Sequence, residues 1–169
     1  MPPGTGVAWS SFSTGNRTGK TNIYDFTLVD DNSWKIKFVN RTMLNGKKLW
    51  EYLDEGNIKS CFINIPLTYP PAKINGVMIS GIDTPSTFSN YTFPSELKEK
   101  LKEFNYDIEV SGMKGLEDIP NEAVRILDAR LKTARHLLKE DFDFFVVLFR
   151  ASDVVQHFAW GKPIVEEVY

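Results

Sequence analysis

The segment 143–160 constrains the fold more than any other, because its hydrophobic pattern changes period part-way along. Residues 144–149 read Phe-Phe-Val-Val-Leu-Phe, and such a run predicts a strand buried on both faces, as in parallel sheets. From Ser152 onwards the pattern favours a helix, with Ser152 as the cap and Asp153 in the first turn. A buried strand followed directly by a helix is typical of α/β proteins.

Two potential ligands lie on this predicted helix. Asp153 and His157 are four residues apart, so their side chains share one helical face. They follow the carboxyl end of a buried strand, where α/β folds usually bind ligands. Two interpretations are open from spacing alone. The pair either binds a metal, or Asp153 only favours the helix N-terminus while His157 packs beside its aromatic neighbours.

Length and composition limit the class of protein. The chain has 169 residues, 42% apolar and 25% charged, which predicts a single globular domain spanning 1–169. A formal net charge of −2 argues against binding to a nucleic-acid polymer. The only cysteine, Cys61, cannot form an internal disulfide and favours a cytoplasmic protein. No apolar run approaches the ~20 residues that span a bilayer, so no membrane association is predicted.

The remaining pattern predicts a mostly parallel sheet with helices on both faces. Segment 58–66 predicts a second buried strand, central in the sheet together with 144–149. Segments 23–29 and 34–39 predict a hairpin, at the sheet edge or outside it. Residues 66–95 hold five of the nine prolines, which predicts a loop excursion, either functional or covering the sheet edge.

Three helices are predicted from apolar periodicity. They are 46–55, ended by Gly56 at its C′ position, a helix that starts near Pro94, and a long helix capped by Asp118. A short strand is predicted at 106–110. The inward stripe of the long helix is predicted to consist of Val124, Leu127, Leu131, Ala134 and Leu138.

Four blocks, taken in order along the chain, carry a family resemblance. They are 5–15 (Thr-Gly-Val-Ala-Trp-Ser-Ser-Phe-Ser-Thr-Gly), 19–26 (Gly-Lys-Thr-Asn-Ile-Tyr-Asp-Phe), 64–81 with its Asn-Ile-Pro-Leu-Thr-Tyr-Pro-Pro start, and 153–160 (Asp-Val-Val-Gln-His-Phe-Ala-Trp). Together they resemble the type I phosphodiesterase/nucleotide pyrophosphatase family of the alkaline phosphatase superfamily. Departures occur at Val7, Thr21 and Val154, where the family usually has Pro, His and Arg.

The resemblance implies an alkaline phosphatase-like three-layer αβα sandwich and a metal-dependent hydrolase. It implies Thr5 as the nucleophile and Asp153 and His157 as ligands of one divalent metal, most simply zinc, with manganese as the alternative. The implied substrate is a small phosphodiester, phosphate ester or nucleotide. Weaker candidates for shaping the substrate pocket are Lys20, Thr68, Tyr69 and Asn75.

The resemblance also implies an incomplete metal site. Family members have further metal ligands in segments before Thr5 and after Tyr169, so we expect the chain to form part of a larger enzyme. It would then be a homo-oligomer or pair with a complementing polypeptide, and the isolated chain would be inactive. The alternative is a non-catalytic fragment that acts only in assembly or partner binding. A phosphate-transferring mutase is disfavoured, because such enzymes usually have Ser as the nucleophile.

Overall fold

Four strands form the main sheet of the computed structural model, which describes residues 4–30, 33–108 and 118–169. The helices are α1 Thr5–Thr14, α2 Thr18–Thr21, α3 Leu49–Glu55, α4 Leu97–Glu103, α5 Ile119–Leu137, α6 Ala151–Ala159 and α7 Ile164–Glu167, with a 3₁₀ helix at Arg41–Met43. The strands are β1 Thr27–Val29, β2 Ile36–Phe38, β3 Ser60–Ile65, β4 Gly76–Ser80, β5 Thr92–Phe93 and β6 Phe144–Val147.

The sheet has the order β5-β4-β3-β6, with β3 in its interior. Strand β3 pairs in parallel with both β4 and β6, whereas β5 pairs antiparallel with β4. All six residues of β3 are buried, including the polar Ser60 and Asn64. The mainly apolar sequence of this strand is typical of a central parallel strand. The predicted α/β class with a mostly parallel sheet is therefore confirmed.

Helices cover both faces of this sheet. On one face, Cys61 and Ile63 of β3 pack in a cluster with Leu101 of α4 and Leu137 of α5. On the other face, Phe62 packs in a second cluster that includes Trp50 of α3. Alternate residues of one strand thus contribute to two cores, which gives the helix–sheet–helix layering that was expected.

Strand β6 differs from its prediction. It covers only Phe144–Val147, and β3 is its one partner strand within the described chain. Its side chains reach both cores, with Phe145 in one and Phe144 in the other. All four nevertheless stay partly exposed, because no described strand covers their outer side. The prediction that 144–149 is central and fully buried is wrong for the described part of the sheet.

The segment 66–95 is not a loop throughout, because β4 and β5 lie within it. Two glycines flank β4 where the backbones approach closely. A Cβ on Gly76, whose φ is +137°, would lie 1.9 Å from the carbonyl oxygen of Ser60, and one on Gly81 would lie 2.4 Å from that of Ile65. The high proline content hid the short apolar run Val77–Ile79 between these glycines.

Helix α5 also differs in detail, because its buried face is rotated from the predicted stripe. Ala134 is buried as predicted, but Leu138 is 59% exposed and Leu137 is 2% exposed. Glu122 is buried and accepts hydrogen bonds from the Arg125 guanidinium at 2.6 and 2.9 Å. The ion pair removes much of the penalty for burying this carboxylate.

Smaller features complete the comparison. Strands β1 and β2 form an antiparallel hairpin outside the main sheet, which was one of the two predicted alternatives. Gly56 ends α3 with φ −77°, so it is not the predicted left-handed cap, and Asn57 takes the positive φ instead. Of the predicted strand 106–110, residues 106–108 are not in a strand, and 109–110 lie outside the described residues.

Candidate active site

Thr5 and Asp153 line one open pocket although 147 other residues separate them in the chain. The pocket has a volume of about 520 Å³ and lies beyond the carboxyl end of β6. One wall comes from the start of α1, and the other from the turn between β6 and the first residues of α6. Its lining residues are Gly4, Thr5, Ala8, Trp9, Leu148, Phe149, Arg150 and Asp153.

Thr5 is the first residue of α1 and is exposed. Gly4 precedes it in an extended conformation and offers no side-chain cap, and the first turn contains no acidic residue. The free N–H groups and the helix dipole therefore leave positive potential beside the Thr5 hydroxyl. Gly6 is buried, and a Cβ there would lie 3.1 Å from the backbone of Asp25, so a small residue lets α1 pack closely at this point.

Helix α6 presents Asp153 and His157 on its exposed side. The Asp153 Oδ1 atom lies 3.5 Å from the His157 Nε2 atom, and the two side chains are 56% and 73% exposed. The opposite side of α6 packs on α5 and α7 through Val154 and Val155. This packing orients the helix with Asp153 and His157 towards solvent. The two side chains lie on one face of the helix, as predicted.

A positive charge that the sequence analysis did not single out lies in the same pocket. Arg150 follows β6 and lines the pocket, and its guanidinium is 3.5 Å from the Asp153 Oδ2 atom. The side chain is only 22% exposed. Its place directly after the apolar segment 144–149 was the signal that could have identified it, since polar residues that follow a strand reach the ligand-binding end of α/β sheets.

The family assignment rests on a comparison with protein-family models. The model described as Type I phosphodiesterase / nucleotide pyrophosphatase matches residues 1–169. The chain belongs to this family. Comparisons with curated proteins and with solved structures found no match. The family is of hydrolase type, so the chain has enzyme-like character.

Few of the described residues are placed so that they could contribute to a metal site. Across the described ranges, no group of three or more His, Cys, Asp or Glu side chains could hold a metal ion. Asp153 and His157 are of the donor types that zinc prefers and lie close together, so they fit two positions of a zinc site. A catalytic zinc normally has three protein ligands, so this pair fits two of those three positions.

The four weaker candidates do not line the pocket. Lys20 is exposed on α2. Thr68 is fully buried, where its hydroxyl donates to the Ile65 carbonyl at 2.6 Å and accepts from the Gly81 N–H at 3.1 Å. These two bonds give Thr68 a structural role at the end of β3.

Tyr69 and Asn75 likewise make local contacts. The Tyr69 N–H donates to the Asp83 Oδ2 atom at 2.7 Å. Asn75 precedes β4 and so lies at the amino ends of the parallel strands, whereas the pocket lies at their carboxyl ends. Its N–H donates to the Asp54 Oδ1 atom at 2.6 Å. Its side-chain amide donates to Asn57. The structure therefore does not bring these residues to Thr5.

Two further observations concern the chemistry available. Burial raises the pKa of the Cys61 thiol to about 12, so this residue is not a reactive nucleophile. Within the described chain, no helix combines the length and apolar character required to cross a bilayer.

Proposed function

We propose that this chain takes part in metal-dependent hydrolysis of phosphodiesters or related phosphate esters, with Thr5 as the nucleophile. The observation that carries the proposal is the pocket shared by Thr5 and Asp153. The nucleophile and one of the two metal ligands that the family resemblance implies, Asp153, come from distant parts of the sequence, yet they line one cavity, whereas His157 is not among the lining residues. A chance resemblance of short motifs gives no reason for this proximity.

Asp153 and His157 are the residues that would hold a divalent cation, most simply zinc, with manganese as the alternative. Such a cation supplies stabilisation of negative charge on a bound hydroxyl or phosphoryl oxygen. The described residues offer two donors here, so a complete site needs a further ligand from outside them, for which we propose a second copy of the chain or a complementing polypeptide.

Thr5 and Arg150 account for the chain's own part in the reaction. The positive end of α1 favours a phosphoryl group and a developing alkoxide at Thr5. Attack by the Thr5 Oγ1 atom forms a P–O bond while the bond to the leaving-group oxygen breaks, and water then hydrolyses the threonyl ester. The guanidinium of Arg150 in the same pocket is suited to binding the phosphoryl oxygens.

The proposed substrate is a small phosphoester or nucleotide rather than a polymer. The pocket volume of about 520 Å³ falls within the usual range for small-molecule sites, about 300–1,000 Å³. The net charge of −2 offers no electrostatic attraction for a nucleic-acid polymer. The cytoplasmic location stays a prediction.

Metal binding can be tested with a control that the sequence supplies, because the chain has only two histidines. We expect zinc titration by calorimetry to show weak binding that is lost in Asp153→Ala and His157→Ala. The same titration on His136→Ala should match the unsubstituted chain, because His136 lies on α5, with its ring centroid 5.2 Å from that of Phe104. Equal loss in all three variants would contradict the assigned ligands.

Substrate binding can be tested without turnover. Titration with adenosine 5′-monophosphate should shift the backbone amide resonances of Ala8 and Arg150, and Arg150→Gln should weaken the binding. In an activity assay with bis(p-nitrophenyl) phosphate, the purified chain alone should show little or no hydrolysis, because its described residues provide only two of the three ligands that a catalytic zinc needs. If the chain alone hydrolyses the substrate and Thr5→Ala abolishes this activity, the metal site is not incomplete. If the activity persists in Thr5→Ala, Thr5 is not the nucleophile.

A role in assembly is a second candidate, favoured by one observation. Strand β6 has a partner on only one side within the described sheet, and its apolar side chains are partly exposed. Unpaired strand edges of this kind promote association. Light scattering at micromolar concentration should show a mass above the 19.3 kDa of one chain. A monomer would count against assembly through β6.

A further inference from the structure

A second pocket, of about 340 Å³, lies between the β1–β2 hairpin and the turn that follows β4. Because β4 runs parallel to β3 and β6, this turn lies at the carboxyl ends of the parallel strands, as does the pocket of Thr5. The two pockets share no lining residue. The apolar part of the lining consists of Phe26, Phe38, Val39, Ile82 and Pro85.

One carboxylate lines this apolar pocket. Asp83 is held in place by two backbone donors, the Leu67 N–H at 2.9 Å on Oδ1 and the Tyr69 N–H at 2.7 Å on Oδ2. The backbone N–H groups of Thr68 and of Asp83 itself also act on this carboxylate and favour its charged form, so the protein holds a fixed negative charge beside the apolar lining. Burial raises the pKa of Asp83 to about 6, so the group is ionised above neutral pH.

Two neighbouring groups bear on the environment of Asp83. Arg41 interacts electrostatically with it, but the Arg41 Nε–H donates to the Pro70 carbonyl at 2.6 Å, and its side chain lines a different pocket. Thr84, also in the lining, is 8% exposed, and its hydroxyl has no hydrogen-bond partner within the described chain. Buried polar groups usually find a partner, in the protein or in what it binds.

We propose that this pocket binds a small compound with an apolar ring and an ammonium group. The ring would pack against Phe26 and Phe38, and the ammonium group would lie at the carboxylate of Asp83. Charge complementarity selects a cation over an anion, since a partly buried carboxylate repels a second negative charge. The two aromatic rings add attraction for a cation that a neutral compound would not have. The proposal does not depend on Thr5 being a nucleophile.

The probe for this site is phenethylamine, and its matched anion is phenylacetate, which carries the same ring. At about pH 8 we expect ligand-observed NMR titration to show phenethylamine binding about tenfold more tightly than phenylacetate, as one favourable charge contact implies. The amide resonances of Asp83 and Thr84 should shift with phenethylamine. Equal binding of the two compounds would overturn the assignment.

The structure provides a matched pair of variants that spare the core. Phe38 and Phe88 are 75% and 94% exposed, and only Phe38 lines the pocket. Phe38→Ala should weaken phenethylamine binding about fivefold through lost apolar contact, while Phe88→Ala should leave it unchanged. Equal weakening in both variants, or none in Phe38→Ala, would show that the amine binds elsewhere and would refute the proposal.

Discussion

Asn64 provides the sharpest test of how the sheet supports the candidate active site. It lies in β3 with φ +62°, at the point where the pairing with β4 shifts register. Its side-chain amide donates to the Leu148 carbonyl at 3.2 Å, and the Leu148 N–H donates to the Ile63 carbonyl at 3.0 Å. Leu148 lines the pocket of Thr5, so Asn64 ties the pocket wall to the central strand.

The cost of Asn64→Ala follows from three contributions. Alanine in the left-handed region costs about 1–2 kcal/mol, and the lost hydrogen bond costs about 1 kcal/mol. Removal of the side-chain oxygen, which is buried without a partner in the described chain, offsets part of this loss. We therefore expect the free energy of unfolding to fall by about 2 kcal/mol. For a chain of this length, that lowers Tm by about 4–8 °C.

The control is Asn64→Gly, which loses the same side chain but tolerates a positive φ. It should cost about 1 kcal/mol less than Asn64→Ala in urea denaturation. Amide hydrogen exchange at Leu148 should become faster in both variants, since both lose the bond to its carbonyl. If Asn64→Gly lowers the free energy of unfolding as much as Asn64→Ala does, the left-handed backbone conformation does not account for the cost of alanine. Unchanged exchange at Leu148 would refute the link to the pocket wall.

Three further predictions concern stability. Gly76→Ala should destabilise the fold by more than about 3 kcal/mol in urea denaturation. The reason is that the alanine Cβ would lie 1.9 Å from the Ser60 carbonyl oxygen, at a φ of +137°. A loss below about 1 kcal/mol would show that the strands can move apart. Leu137→Ala should lower the free energy of unfolding by about 2–5 kcal/mol and the exposed Leu138→Ala by less than about 0.5 kcal/mol, and similar losses would contradict the orientation of α5. The pKa of Asp83 is raised from 3.8 to about 6 in the folded state. Its contribution to the free energy of unfolding is therefore full below pH 3.8 and falls by about 1–3 kcal/mol as the pH rises to 6. Unfolding curves measured across that range should show this decrease, and Asp83→Asn should remove it.

The sequence determined the elements whose pattern is local and strong. The mainly apolar sequence of β3 identified it as a central strand, and the spacing of Asp153 and His157 placed them on one helical face. Both inferences depend only on the geometry of the chain over a few residues, so they survive folding. The family resemblance added the expected chemistry at Thr5, which no local pattern of periodicity contained.

Only the tertiary structure decided what depends on remote contacts. It brought Thr5 beside Asp153 and Arg150, because the start of α1 and the carboxyl end of β6 are joined by packing rather than by sequence. It placed β6 at the edge of the described sheet, since an apolar run does not specify its number of neighbours. It also revealed β4 among the prolines and fixed the buried face of α5, where a rotation of one residue step exchanges Leu138 for Leu137 in the core. These features depend on how the elements pack against one another, and the local sequence of a single segment does not specify that packing.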